Sequence, residues 1–229
     1  MKVLISDYDG TLYVNENDIK NNSEKIEEFR KKGNMFIIST ARNYSSIKEE
    51  CIKNNIIVDY FFCDIGSVIL DFEGNVIYEQ HIGKEDVKKI EEKLENYKNK
   101  LIISRYGTNA KIEKELNEVI EYKIKGDMNY LVEVKNAIEK EIENVKTQIT
   151  EDNRFIIHTS TKESAIEKFL LMTGSVKKEE IYTVGDELDD LEMLKRYNGY
   201  RMQNCNQFVR GNVDNEVKSV SQLIDIINN

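Results

Sequence analysis

Residues 2–11, KVLISDYDGT, decide how this sequence is interpreted. A short apolar run, Lys2–Ser6, is followed directly by Asp7, Asp9 and Gly10. An apolar run that ends in a turn is typical of a buried parallel strand. Because side chains alternate along an extended chain, Asp7 and Asp9 point to one side, where two carboxylates need a cation between them or a shared proton. An ordinary Asp-Gly turn after a strand is the alternative.

A second acidic cluster, Gly185–Asp190, follows another apolar run, Ile181–Val184. Asp186 stands at the predicted strand end, whereas Asp189 and Asp190 also suit the first turn of a helix. If the two strands are parallel neighbours, their carboxyl ends meet at one crevice, where ligands of open α/β sheets bind. Several carboxylates without a histidine favour Mg²⁺ over Zn²⁺.

A hydroxyl and a lysine occupy comparable positions at element ends. Thr40 follows the predicted strand Met35–Ser39, and Lys162 begins a predicted helix. Such donors with one positive charge are what a phosphate group requires. Each residue also has an ordinary interpretation, since Thr40 fits a helix cap and Lys162 a solvated surface lysine.

Alternating strands and helices predict the fold class, α/β. Tyr60–Cys63 continues the strand pattern, and Ser67–Asp71 with Val76–Gln80 predicts a hairpin. From about residue 81 charged amphipathic segments replace this pattern, which resumes after residue 160. We expect a Rossmann-like parallel-sheet core, residues 1–79 and 158–229, with an inserted α+β cap domain, residues 80–157.

In the insert, the sequence predicts helices through Val87–Tyr97, Ile112–Val119 and Ile138–Val145, and strands at Leu101–Arg105 and Tyr130–Val134. It also predicts a closing hairpin of Thr147–Thr150 and Phe155–Thr159, with its turn at residues 151–153. The core pattern then resumes with helix Lys162–Thr173, strand Ile181–Val184 and a helix near Asp190–Arg196.

The composition limits which kinds of partner the protein can bind and in which compartment we expect it. The 229 residues carry a formal net charge of −9, which makes a nucleic-acid partner an unfavourable hypothesis. No apolar run approaches the roughly 20 residues that cross a bilayer. An acidic residue follows the opening apolar run too early for a secretory signal. The three cysteines form no CxxC pair. We therefore expect a cytoplasmic protein with reduced thiols.

The order of these motifs resembles the haloacid-dehalogenase superfamily, in particular its Cof-like phosphatase branch (subfamily IIB). The resemblance rests on residues 7–12 (DYDGTL), 40–42 (TAR), Lys162 and 185–190 (GDELDD), with similar segments at 162–165 and 202–205. The insert resembles that branch's cap by position and size. Three departures stand out: Ala41 replaces the usual glycine, residues 65–67 (IGS) replace Asn-Gly-Ala, and Asp189 replaces the usual asparagine.

The resemblance implies a mechanism and a set of site residues. Asp7 would attack phosphorus and form an aspartyl-phosphate, while Asp9 would act as general acid and base. Thr40 and Lys162 would hold the phosphoryl oxygens. The remaining implied roles are phosphate contacts at Gly10, Ala41, Arg42 and Asp189, and Mg²⁺ held by Asp7, the backbone carbonyl of Asp9 and Asp186, with Asp190 in support.

Three functions are compatible with these residues. The first is a phosphatase of small-molecule phosphate monoesters, such as sugar phosphates, and the second is a phosphomutase of the same superfamily. The third is a non-enzymatic phospho-acceptor or regulatory module. Receiver modules carry adjacent acids after their first strand, whereas Asp7 and Asp9 are separated by one residue. A phosphorylated small molecule is the expected partner, and the residues give no indication of oligomeric state.

Overall fold

The computed structural model describes residues 1–108, 110–112, 116–150 and 153–228. Its contacts divide the chain into two compact units, residues 1–78 with 161–229, and residues 79–160. The predicted division placed these boundaries at 79/80 and 157/158. The assignment of catalysis to one unit and of substrate selection to the other remains a prediction.

The first unit contains a mixed set of strands and helices. Its strands are β1 Val3–Ser6, β2 Met35–Ser39, β3 Tyr60–Cys63, β4 Val68–Asp71 and β5 Val76–Glu79, and its first helices are α1 Glu16–Lys31 and α2 Tyr44–Lys53. The elements of residues 79–160 are α3 Lys84–Glu95, β6 Leu101–Gly107, β7 Ala110–Lys111, β8 Glu121–Gly126, α4 Met128–Glu141, β9 Lys146–Ile149 and β10 Arg154–His158. The first unit resumes with α5 Lys162–Thr173, β11 Ile181–Gly185, α6 Leu191–Arg196, β12 Asn198–Met202, α7 Gln207–Arg210, β13 Glu216–Val217 and α8 Val220–Asn228.

An eight-stranded sheet organises the first unit, in the order β13-β12-β11-β1-β2-β3-β4-β5. The strands from β13 to β3 pair in parallel, and β4 pairs with β3 antiparallel. β1 lies in the middle, where Ser6 is level with Val184 of β11 on one side and with Ile38 of β2 on the other. All four β1 residues are buried, as expected of a central parallel strand. The predicted α/β class with a parallel-dominated sheet is confirmed.

The ends of the first-unit elements follow local sequence signals. β2 and α5 have the predicted bounds, and Gly174 ends α5 in the left-handed conformation with φ of 60°. The Thr161 side chain caps the start of α5 by accepting a hydrogen bond from the Ser164 backbone N–H. This cap fixes where the helix starts, and Lys162 is therefore its first residue.

The second unit is an antiparallel sheet with two helices. Its strand order is β7-β6-β8-β10-β9. Buried side chains of α3 and α4 form one hydrophobic core with inward-facing residues of β8 and β10. The predicted closing hairpin is confirmed by the pairing of β9 with β10, although residues 151 and 152 of its turn lie outside the described residues.

Three predictions for the second unit are corrected. Tyr130–Val134 is part of helix α4, because Leu131, Val134 and Ile138 bury one face at helical spacing and Asp127 caps the start. The central strand is instead β8. The helix predicted through Ile138–Val145 is this same α4, which ends at Glu141. In the helix predicted through Ile112–Val119, residues 113–115 lie outside the described residues, and Leu116–Glu118 forms one 3₁₀ turn.

No helix among the residues described above is long and apolar enough to cross a membrane.

Candidate active site

Three candidate residues follow the carboxyl ends of neighbouring parallel strands. Asp7 follows β1, Thr40 follows β2, and Asp186 follows β11. The Asp7 backbone N–H donates to the Val184 carbonyl at 3.0 Å, which continues the ladder by one residue. The sheet therefore brings together residues from three separate motifs, at the edge where open α/β sheets bind ligands.

A buried carboxylate cluster forms at this edge. One oxygen each from Asp7, Asp186 and Asp190 lie within 4.8 Å of one another. Lys162 Nζ lies 2.8 Å from Asp7 Oδ1, 2.7 Å from Asp190 Oδ1 and 3.1 Å from Asp189 Oδ2. The Lys162 side chain is 2% exposed, so its charge is compensated by carboxylates and not by water.

Burial dominates the electrostatics of the acids. It raises the pKa of Asp186 to about 6 and the pKa of Asp190 to about 7, and the positive charge of Lys162 opposes the second shift. The pKa of Asp7 is also raised by burial, against the lowering effect of Lys162. Burial would lower the pKa of Lys162, but the charges of Asp189, Asp190 and Asp7 overcome it and the net shift is upward.

Asp190 and Asp186 are each held by short-range contacts. Asp190 Oδ2 accepts from the Asp186 and Glu187 backbone N–H groups at 3.0 and 3.1 Å. Thr11 Oγ1 donates to Asp186 Oδ1 at 2.5 Å. Thr11 was not among the predicted site residues, although it is a hydroxyl in the same turn as Asp7 and Gly10. Its contact orients Asp186 toward the other acids.

Asp9 lies apart from the carboxylate cluster. Its two carboxylate oxygens accept from Arg42 Nη2 and Nε at 2.6 and 2.7 Å, a two-pronged ion pair, and its side chain is 56% exposed. The Arg42 guanidinium also lies over the Tyr8 ring, 5.2 Å from its centroid. The structure thus joins the predicted acid–base residue to a predicted phosphate-contacting residue, and it does not bring the Asp9 carboxylate to the other predicted metal ligands.

The remaining predicted residues line the same loops. Thr40 is buried, its backbone N–H donates to Phe62, and its hydroxyl oxygen accepts from the Arg42 N–H at 3.1 Å. Ala41 is exposed, and Asp189 contacts Lys162. Gly10 is in the left-handed region, with φ of 79°. Which of these side chains touch a phosphate group remains a prediction.

A left-handed turn at Asp64–Gly66 packs against the start of α5. All three residues have positive φ. The Asp64 and Ile65 backbone N–H groups donate to the Arg42 and Thr40 carbonyls, which joins the turn to the loop after β2. A side chain at Gly66 would overlap the Thr161 carbonyl, so glycine lets the turn pack directly against the start of α5.

The donor set fits a hard divalent cation. Asp7, Asp186 and Asp190 supply only oxygen ligands, and no histidine or cysteine joins this group among the described residues. Three buried acids of raised pKa are costly without compensating positive charge. Carboxylate oxygens are what Mg²⁺ binds in proteins. The residues therefore fit the metal that the resemblance implies.

Replacing Gly10 by alanine should disrupt this cluster. A β-carbon at position 10 would overlap the Asp186 carboxylate, and the φ of 79° is itself unfavourable for alanine. Gly33 has the same φ of 79° but open space within 4 Å, so Gly33→Ala is the matched control for backbone strain. We expect Gly10→Ala to weaken Mg²⁺ binding by about tenfold or more, measured by calorimetry, and Gly33→Ala to leave it unchanged. Equal Mg²⁺ affinity in both variants would contradict the conclusion that a β-carbon at position 10 displaces the Asp186 carboxylate.

The metal-free protein should lose stability as the pH rises from about 4 to 8. Because the folded-state pKa of Asp186 is about 6 and the ordinary value is 3.8, the folded state binds the proton more tightly than the unfolded chain. The stabilisation is fully present below the unfolded value and is lost as the pH rises through the folded value. We expect the Tm in chelator to fall by several degrees between pH 5 and pH 8, and Mg²⁺ to restore it. Asp186→Asn should reduce this dependence without removing it, because burial also raises the pKa values of Asp7 and Asp190. A Tm that rises with pH in the unsubstituted protein would refute the sign.

The fold and the cluster agree with what the family comparison finds. A family model described as haloacid dehalogenase-like hydrolase matches residues 4–155 and 107–223. The chain belongs to this family of haloacid dehalogenase-like hydrolases.

Solved structures with the same fold cover nearly the whole chain. A haloalkanoate-superfamily phosphatase of Bacteroides thetaiotaomicron, BT1666, has a TM-score of 0.82 at 19% identity, covering 100% of this chain and 94% of its own. The subclass IIB sugar phosphatase BT4131 has a TM-score of 0.79 at 19% identity, covering 100% and 99%. A hydrolase of the HAD/COF-like type from Plasmodium vivax has a TM-score of 0.80 at 18% identity, covering 100% and 95%. The predicted membership of the haloacid-dehalogenase superfamily is confirmed by the family match, and at these identities the likeness to the solved structures, which include a HAD/COF-like hydrolase and a subclass IIB sugar phosphatase, concerns the fold.

One curated relative matches over a shorter segment. It is an uncharacterized protein of Mycoplasma capricolum subsp. capricolum, 35% identical over 89 residues. The match covers 35% of this chain and 32% of the relative's length.

Proposed function

We propose that this protein is a Mg²⁺-dependent phosphatase that hydrolyses small-molecule phosphate monoesters, sugar phosphates or similar, through an aspartyl-phosphate on Asp7. The observation that carries the proposal is the buried cluster of Asp7, Asp186 and Asp190 with Lys162 on the Asp7 carboxylate. A nucleophilic carboxylate, a divalent-cation site and a fixed ammonium at one sheet edge are the groups that phosphoryl transfer requires.

The first step is transfer of the phosphoryl group to Asp7. A carboxylate oxygen of Asp7 forms a bond to phosphorus, and the bond from phosphorus to the ester oxygen breaks. Asp9 gives its proton to that leaving oxygen, so the alcohol departs neutral. Before this step the Asp9 carboxylate leaves Arg42, whose ion pair holds both of its oxygens in the described state, and takes up a proton from water.

The second step regenerates Asp7. A water oxygen attacks phosphorus, Asp9 accepts a proton from that water, and the bond from phosphorus to the Asp7 oxygen breaks. Inorganic phosphate leaves, and both Asp7 and the protonated Asp9 return to their starting states.

Asp7, Asp186 and Asp190 would hold the metal. Mg²⁺ bound there supplies positive charge that offsets the repulsion between the Asp7 carboxylate and a phosphate dianion. Lys162 adds a fixed positive charge beside the Asp7 carboxylate, and Thr11 keeps Asp186 oriented.

We further propose that residues 79–160 act as the cap that selects the substrate. The predicted motif residues all lie outside this unit, and the unit has its own hydrophobic core. Arg105 donates two hydrogen bonds to Glu91 of the same unit, at 2.6 and 2.5 Å, so it serves the unit's own packing. Tyr106, the neighbouring residue on β6, is the better candidate for a contact with the leaving group.

A phosphate-release screen with and without Mg²⁺ tests the proposal. We expect hydrolysis of an aryl phosphate and of one or more sugar phosphates with Mg²⁺, and its loss in excess EDTA, because the acids cannot accept a phosphate dianion unaided. Full turnover in EDTA would refute the metal assignment. An isomeric sugar phosphate without free phosphate would indicate a mutase, and a stable phosphorylated Asp7 without turnover would indicate a phospho-acceptor.

The same screen tests the cap assignment through Tyr106→Phe. We expect a higher KM for the best sugar phosphate and unchanged kinetics with the small aryl phosphate. Equal loss of kcat with both substrates would refute the division of function.

A further inference from the structure

The ammonium group of Lys162 donates hydrogen bonds to Asp7 and Asp190 and makes an ion pair with Asp189. A lysine ammonium offers three N–H donors. Three carboxylate oxygens lie within reach of it, from Asp7 at 2.8 Å, Asp190 at 2.7 Å and Asp189 at 3.1 Å. A phosphate oxygen that binds Lys162 therefore has to displace one of these carboxylates.

Asp189 is the carboxylate that is easiest to displace. Its contact is the longest of the three, and its side chain is 18% exposed, against 8% for Asp7 and 0% for Asp190. Asp190 is anchored from its other oxygen by two backbone N–H groups. Asp189 is also not among the three described acids that converge as a metal site.

We propose that Asp189 competes with phosphate for Lys162, and so weakens phosphate binding and speeds product release. The inference rests on the proposed function and adds a residue that sets phosphate affinity. In the resting state the Asp189 carboxylate lies 3.1 Å from Lys162 Nζ, on the side of the ammonium that a phosphate oxygen takes, and it moves away when phosphate binds. After this movement the Asp189 carboxylate is still close to the bound phosphate dianion. The two negative charges repel each other strongly, because the site is partly buried.

Asp189→Asn tests the proposal, because it removes the charge and keeps the size and one acceptor oxygen. The probe is inorganic phosphate, titrated by calorimetry into the protein with saturating Mg²⁺. We expect binding about tenfold tighter than in the unsubstituted protein, and inorganic phosphate to become a correspondingly stronger competitive inhibitor. Asp189→Ala should also tighten binding, and a melting curve on each variant confirms that it is folded.

Glu187→Gln is the matched control. Glu187 lies in the same loop and loses the same charge, but its exposed side chain is not among the partners of Lys162. We expect less than a twofold change in phosphate affinity. Equal tightening in both variants would reassign the effect to the general negative field of the loop and overturn the proposal.

Titration with Mg²⁺ alone separates competition from metal binding. Asp189→Asn should leave Mg²⁺ affinity within about twofold, and a tenfold loss would make Asp189 a metal ligand and overturn the inference. If the unsubstituted protein turns over substrate while Asp189→Asn binds phosphate no more tightly, this inference alone fails. If folded, Mg²⁺-bound samples of both proteins neither bind nor release phosphate, the proposed function fails together with it.

Discussion

Replacing Asp7 by asparagine should abolish phosphate release while leaving the fold intact. The amide is nearly the same size and its oxygen can still accept from Lys162, but it cannot attack phosphorus. We expect kcat to fall by at least about 10³-fold for every substrate, because loss of a nucleophile affects all of them alike. Acid-quenched protein analysed by mass spectrometry should carry phosphate on Asp7 in the unsubstituted chain and none in the variant.

The same substitution should leave the metal-free protein at least as stable at pH 8. Burial raises the pKa of Asp7, so its charged form is unfavourable there, and the substitution removes that charge. Asp214→Asn, at an exposed carboxylate of the same unit, is the control and should change neither activity nor Tm. Substantial residual turnover, or loss of a cooperative melting transition, would count against Asp7 as the nucleophile.

Replacing Lys162 by methionine should have the largest effect on stability. The substitution leaves buried Asp7 and Asp190 without the ammonium that lies 2.8 and 2.7 Å from them. Removing one partner of a buried ion pair typically costs about 3–5 kcal/mol. We expect a loss of that order in the free energy of unfolding at pH 8 in chelator, measured by denaturant titration, and a smaller loss at pH 5, below the pKa of about 7 to which burial raises Asp190.

Lys162→Met should also lower kcat by about 10²-fold or more, since it removes a preorganised charge beside the reacting carboxylate. Lys168→Met, at an exposed position of the same helix, is the matched control and should preserve both quantities. If Lys162→Met loses no stability at pH 8, the ammonium does not compensate the cluster as described.

The core of the fold could be predicted because its signals are local. β2 is marked by a short apolar run, and α5 begins after a capping threonine and ends at a C-cap glycine. Each of these signals depends on neighbouring residues only. The prediction of a strand at Tyr130–Val134 was wrong, because a short apolar run fits a buried strand and a helix equally well. Its helical periodicity becomes visible only when Ile138 is counted on the same face.

In the candidate site, too, some features could be predicted from local sequence and others could not. Asp7 and Asp186 were predictable because each directly follows a strand, and Asp190 was predictable because its spacing from Asp186 is characteristic. The pairing of Asp9 with Arg42 and the contact of Asp189 with Lys162 depend on how distant loops pack together. No periodicity or spacing in the sequence carries that information. The role of Thr11 was missed because a hydroxyl in a turn has many local uses.

The position of β1 between β2 and β11 has a consequence for how the protein is made. Lys162 and Asp7 are 155 residues apart in the chain, yet they share one hydrogen bond. During synthesis, all of residues 79–160 leave the ribosome before the partners of Asp7 exist. Until then β1 lacks its β11 neighbour, and contacts of such long sequence separation are slow to close. The nascent chain therefore carries the proposed nucleophile before the other residues of the proposed metal site exist, and the candidate site is completed late in folding.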